Sequence, residues 1–182
     1  MKLAAIIYGM GEADGVDAML TALAAELRGG GFRLAGTVQH NTLQPQSPCS
    51  DMIIEDLATG RRIDVSAPLS IAGKGCRLDA TALEDVAGMV AAALEPGAPT
   101  VDLVVVNRFG KQEIAGQGFR AIIEQAVARE IPLLIALNGV HRPHWDAFTS
   151  GHGDVLPPRR TAIEQWCHSV VRRDALSRAQ VV

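Results

Sequence analysis

Three short runs constrain this chain more than any other feature. Leu3-Ala4-Ala5-Ile6-Ile7-Tyr8, Val101-Asp102-Leu103-Val104-Val105-Val106 and Ile131-Pro132-Leu133-Leu134-Ile135-Ala136-Leu137 are almost wholly apolar. A strand with one wet face alternates polar and apolar residues. A run without alternation needs cover on both faces, as in a parallel sheet packed between helices. Amphipathic segments stand between the runs. Met19, Leu20, Leu23, Ala24 and Leu27 form a stripe at helical spacing, predicting a helix over 15–28 that Gly29-Gly30-Gly31 ends. Asp79 is placed to N-cap a helix over 80–94 with Leu83, Val86, Val90 and Leu94 inward. A third helix over 117–129 turns Phe119, Ile122, Ile123, Ala126 and Val127 to one side, and helices over 142–149 and 159–172 complete the chain. Strands alternating with helices imply an α/β fold in three layers, with a mostly parallel central sheet and right-handed crossovers.

A second strand is expected over 32–39, followed by a loop over 40–50 that lacks periodicity and holds two prolines. Residues 52–57 and 61–65 flank Ala58-Thr59-Gly60 and read as an inserted β-hairpin. The stretch 67–78 reads as a glycine-containing loop. The whole is expected to be one domain over 1–174 with a loose tail over 175–182. The 182 residues carry a formal charge of −3, which gives no reason to expect nucleic acid or an acidic membrane as a partner. The 3 cysteines, Cys49, Cys76 and Cys167, are odd in number and far apart, against a disulfide framework or a cysteine zinc site. The first apolar run is too short for a leader's core or a membrane span, so a cytoplasmic protein is expected. Homo-oligomerisation is left open.

In sheets of this kind ligands bind beyond the carboxyl ends of the strands. Three segments meet that edge: the loop after the first strand, Asn107-Arg108-Phe109-Gly110-Lys111, and Asn138-Gly139-Val140-His141. The first runs Gly9-Met10-Gly11-Glu12-Ala13-Asp14-Gly15-Val16-Asp17 into a helix, the arrangement of a phosphate-binding P-loop. Gly9, Gly11 and Gly15 could form an anion nest. The pattern asks for Lys and then Ser or Thr after the last glycine, and Val16 and Asp17 stand there instead. Arg108 offers a planar fork and Lys111 a point charge to an oxyanion, the competing role being an ion pair with Glu113 or Asp79. Lys74 and Arg77, with Cys76 between them and Gly73 and Gly75 beside them, form a second basic cluster that could close over the site. His40 follows the second strand near the same edge. His141-Arg142-Pro143-His144 crosses a proline with no third ligand in view, so no metal site is assigned. Trp145, Phe148 and Trp166 are expected to anchor the core or an interface.

Taken together these strings resemble the small P-loop nucleoside-triphosphatase family first known from thermophiles, over roughly residues 3–150. Gly9 to Leu27 falls at that family's phosphate loop and helix, and Asp56-Leu57-Ala58-Thr59-Gly60 at its hairpin. Asn107-Arg108-Phe109-Gly110-Lys111-Gln112-Glu113 falls at its Asp-Glu-Ile-Gly-Lys-Met-Glu motif. Asn-Arg-Phe-Gly-Lys and Gly-Cys-Arg-Leu-Asp are similar to an uncharacterised bacterial offshoot, a domain of unknown function associated by gene neighbourhood with molybdate uptake. The resemblance implies a P-loop NTPase-like fold. The departures bear on mechanism: Val16 replaces the Lys, Asp17 the hydroxyl, Asn107 the metal-organising Asp, and Arg108 the Glu expected to position water. Phosphoryl transfer needs all four.

The reading is a non-hydrolysing binding protein for an oxyanion or anionic metabolite, molybdate or tungstate among the candidates. Its ligand set is Gly9, Gly11, Gly15, Val16, Asp17, His40, Lys74, Arg77, Asn107, Arg108 and Lys111. No catalytic residue, metal ligand or cofactor is assigned. The alternative is a divergent triphosphatase or nucleotide-dependent enzyme that recruits metal through Asp14 or Asp17. A third is an adaptor whose ancestral loop is blocked by its own acidic side chains.

Overall fold

The computed structural model describes residues 2–43, 50–67 and 77–179; of 42, 43, 50, 51, 77 and 172–179 only the backbone is considered. In chain order the elements are β1 (Leu3–Tyr8), α1 (Ala13–Gly29), β2 (Leu34–Leu43), β3 (Ser50–Asp56), β4 (Arg62–Asp64), β5 (Ser66–Ala67), β6 (Arg77–Leu78) and α2 (Ala80–Ala93). Then come β7 (Leu103–Phe109), α3 (Lys111–Ile114), α4 (Arg120–Ala128), β8 (Leu133–Asn138), a 3-10 turn (Gly139–His141), α5 (Arg142–Thr149), β9 (Asp154–Leu156) and α6 (Arg160–Ala179).

Seven strands form the central sheet in the order β4-β3-β2-β7-β8-β1-β9. The five from β2 to β9 are parallel, and β3 and β4 extend the sheet as an antiparallel hairpin. The expected α/β class, parallel sheet and hairpin are all present. The apolar runs explain themselves through the two-residue period of a strand. Ala4, Ile6, Leu103, Val105, Leu134 and Ala136 pack on one face with Leu20, Leu23 and Leu27 of α1 and Ile163, Trp166 and Cys167 of α6. Ala5, Val104, Val106, Ile135 and Leu137 pack on the other with Val86 and Val90 of α2, Ile122 and Ile123 of α4 and Trp145 of α5. Both registers of each strand are therefore covered. Burial pushes the Cys167 thiol up to about 12, as expected for a packing cysteine.

The differences from the expected elements cluster at the carboxyl edge. β2 runs on through Gln39-His40-Asn41, which the sequence assigns to the end of a strand and a loop, because β3 pairs with it there: His40 faces Ile53 and Asn41 faces Met52. β7 pairs with β2 only over Leu34–Gly36, so the outer end of β2 is free to carry polar side chains. The helix after β1 starts at Ala13, so Gly15, Val16 and Asp17 belong to its first turns and the loop is reduced to 9–12. β7 extends to Phe109, and Lys111 opens the one-turn α3. β9 and α3 are too short to leave a periodic signal. α6 continues past 172, where periodicity ends it.

Asp79 caps α2 as anticipated: its Oδ1 accepts from the backbone N–H of Thr81 at 2.9 Å and of Ala82 at 3.2 Å. Asp79→Ala is expected to lose about 1 kcal/mol in chemical denaturation, the usual worth of such a cap. A loss under about 0.3 kcal/mol would mean that packing of Val86 and Val90 alone sets the helix start.

Candidate ligand site at the carboxyl edge

Parallel pairing brings the ends of β1, β8, β7 and β2 to one edge, and a network of polar side chains joins them there. Its centre is Asp17, on the buried side of α1. Arg108 Nη2 donates to both Asp17 oxygens, at 3.0 and 2.8 Å. Asn107 Nδ2 donates to Oδ1 at 2.9 Å, and Asn41 Nδ2 to Oδ2 at 2.9 Å. Asn41 also donates to Asp14 Oδ1 at 2.9 Å, and Gln39 Nε2 to Asn41 Oδ1 at 2.7 Å. Arg108 Nη1 donates to the Tyr8 hydroxyl at 3.0 Å.

Residues 107 and 108 are consecutive in a strand, where side chains ordinarily point to opposite faces. Both reach Asp17 because the β7–β8 register slips between Asn107 and Phe109. Such a bulge re-aims side chains beside functional sites. Arg108 is thus tied to Asp17, rather than to Glu113 or Asp79. Glu113 instead accepts from the backbone N–H of Gly110 at 2.8 Å and of Phe119 at 3.1 Å, holding the β7–α3 turn.

Burial raises the Asp17 pKa above the ordinary aspartate value, and Asp14 adds to this; Arg108, Asn107 and Asn41 oppose it without cancelling it. Burial likewise raises Glu113 against its backbone donors. Glu55 goes the other way. Burial alone would raise it, but donors on Arg28, His40 and Arg62, at 2.7, 2.9 and 3.2 Å, hold it below the usual carboxylate range.

The short loop 9–12 is closed on itself. The Gly9 N–H donates to Glu12 Oε2 at 2.5 Å, and the Val16 N–H to Glu12 O at 3.0 Å. A carboxylate from the chain itself therefore sits on the Gly9 amide. Gly11, at φ 81°, makes the turn.

Two concavities flank the Asp17–Arg108 pair. One, of about 730 Å³, runs along α1 and β2 and includes Asp14, Asp17, Thr21, His40, Asn41 and Arg62. The other, of about 500 Å³, lies between β7, α3 and the β2–β3 sheet, and includes Gln39, Asn107, Arg108, Lys111, Glu113 and His141 over an apolar wall of Met52, Ile54, Leu83 and Phe119. His141 is pushed below the usual histidine value by burial and by the charges of His144 and Lys111, the latter lining the same cleft. Asn107 Oδ1 and Arg108 Nε are buried and meet no partner among the described residues.

Of the residues the sequence singled out, the structure brings Asp17, Asn107, Arg108 and Lys111 together. Gly9 and Gly11 lie in the loop beside them, and Gly15 is inside α1. His40 is bound to Glu55 and shares the concavity along α1 and β2 with Asp17. The Val16 side chain is 2% exposed and packs in one core cluster with Tyr8 and Leu20, because the first turns of α1 set it against the sheet. Lys74 and Cys76 lie outside the described residues, and of Arg77 only the backbone in β6 is described. Sequence reasoning did not assign Gln39, Asn41 or Tyr8 to the site, and it placed His141 at this edge without a ligand role. Trp145 is buried with Phe109 and Phe148 around it, and Trp166 donates to Asp154 at 2.8 Å. Among the described residues no group of three or more His, Cys, Asp or Glu could hold a metal ion, and no helix is long and apolar enough to cross a membrane.

Sheet, crossovers and an edge site fed by a strand–glycine loop–helix unit are those of a three-layer α/β protein with a P-loop NTPase-like arrangement. Within that class the chain belongs to the DUF2478 family, described as a protein of unknown function, which matches residues 3–166. It is 39% identical over 166 residues to the molybdenum import ATP-binding protein ModC 2 of Bradyrhizobium diazoefficiens. The match covers 91% of this chain and 18% of that protein, so the chain spans less than a fifth of the relative's length. No solved structure matches the chain significantly.

Proposed function

We propose that this chain is a non-hydrolysing binding module for a small anion, working alongside molybdenum uptake. The observation that carries the reading is the Asp17–Arg108 pair. In a phosphate-transferring site the position of Asp17 carries a hydroxyl for Mg²⁺, and that of Arg108 an acid for water. Here the two side chains neutralise each other, and a guanidinium occupies the neighbourhood in which a cation would bridge to phosphate. Glu12 covers the Gly9 amide in the loop. What stays open is the neighbouring cleft, lined by Lys111, Arg108 and His141. The similarity to part of a molybdenum import protein supports the setting and makes molybdate a natural first probe.

That relative's name, an ATP-binding protein, favours a second reading, in which Asp14 and Asp17 recruit metal for a nucleotide. It requires Asp17 to leave Arg108, Asn107 and Asn41 together. Calorimetric titration of molybdate, sulfate and ATP, with and without Mg²⁺, separates the two. The expected result is anion binding that Lys111→Ala weakens about tenfold, the worth of one charged contact, with no turnover of ATP. Rapid Mg²⁺-dependent ATP cleavage, or no binding of any anion, would overturn the proposal.

A further inference from the structure

We infer that the cleft between β7 and α3 is built for an organic anion that also carries a hydroxyl or N–H donor, such as a polyol phosphate, rather than for a bare tetrahedral oxyanion. The inference rests on the anion-binding reading above and narrows it. Asn107 is 2% exposed and lines the cleft. Its Nδ2 is committed to Asp17, which fixes the amide orientation and leaves Oδ1 as a pure acceptor with no partner among the described residues. A buried acceptor left unmatched costs free energy, and a ligand that brings a donor to it removes that cost. Sulfate or molybdate has no proton to offer it. A hydroxyl or N–H does.

The rest of the wall agrees with an organic body. Lys111 supplies a charge for the anionic end, while the half-buried Met52 and the exposed Leu78 border the cleft with carbon surface that a small inorganic ion would leave uncovered. The volume, about 500 Å³, is that of a metabolite site.

The test uses two phosphate esters with one carbon skeleton, glycerol 3-phosphate and n-propyl phosphate, with sulfate as the bare anion. All are titrated calorimetrically into the full chain at pH 8. Glycerol 3-phosphate is expected to bind about tenfold tighter than n-propyl phosphate, the worth of a hydrogen bond to a buried group. Asn107→Ala should erase that ratio, and Lys111→Ala should weaken both esters while keeping it. Because Asn107→Ala also removes a bond to Asp17 and can impair folding, the wild-type side-chain amide resonance of Asn107 gives a second reading. It should shift with glycerol 3-phosphate and stay in place with n-propyl phosphate. Equal affinity of the two esters, sulfate binding as tightly as glycerol 3-phosphate, or a ratio that survives in folded Asn107→Ala would each overturn this inference while leaving a Lys111-dependent anion site standing. Failure of all three probes to bind would remove the anion site itself, and this inference with it.

Discussion

Arg108→Ala is expected to destabilise the protein by about 3 kcal/mol at neutral pH, the usual cost of stranding one member of a buried ion pair. The loss falls on Asp17, whose side chain is 5% exposed and cannot turn to water. Asp17→Asn should cost less, because the Arg108 side chain is 30% exposed and its guanidinium can be hydrated where it stands. The double variant should be more stable than the sum of the two losses predicts, by roughly 1–3 kcal/mol of coupling. The pH dependence has a definite sign. Asp17 titrates above its unfolded value, so the native state binds its proton more readily than the unfolded chain does. That contribution favours the native state as pH falls through the raised value and is lost as pH rises. Removing Arg108 takes away the largest influence holding the pKa down, so the penalty of Arg108→Ala should shrink on acidification. Urea denaturation at several pH values reads both effects. A loss below about 1 kcal/mol, or one that grows with acid, would mean the pair does not hold the edge together.

Gly36→Ala should be more damaging still. Gly36 lies at φ 97°, and a Cβ there would sit 1.9 Å from the carbonyl oxygen of Val105 on β7. Backbone cannot yield as a side-chain tip can, so β2 would have to part from β7 where Gly36 pairs with Val105. Strain and overpacking together put the cost at about 4 kcal/mol or more. The Leu57 N–H, which donates to Gly36 O at 2.9 Å, ties the hairpin to the same point. Because β2 carries Gln39, His40 and Asn41 to the site, any folded fraction should also lose its anion affinity. A thermal melt within a few degrees of wild type would show that the strand contact is looser than this geometry requires.

The two effects differ in how visible they were beforehand. Nothing local distinguishes Gly36 from a glycine that is merely tolerated, since its neighbour on β7 is about seventy residues away. The Asp17–Arg108 pair did leave a trace. Against the resembled motif, position 17 gains an acid and position 108 exchanges an acid for a base, and opposite changes at two site positions are what a new ion pair requires. Reading Arg108 as a free anion ligand, or as a partner of Glu113 or Asp79, misses that compensation because Asp17 is read as a ligand contact or a recruiter of metal rather than as the partner of Arg108.

The sheet and its layers follow from the chain itself. Strands apolar in both registers must be covered on both faces, amphipathic stripes must turn inward, and Asp79 satisfies the first free amides of its helix wherever that helix is placed. These are local requirements, and local pattern is enough to express them. The site is different. Which polar groups are spent on one another and which stay open depends on a register slip in β7, on β2 extending along β3 to bring Asn41 to α1, and on Glu12 folding back onto Gly9. Those outcomes are set by contacts between residues far apart in the chain, and only the tertiary structure decides them.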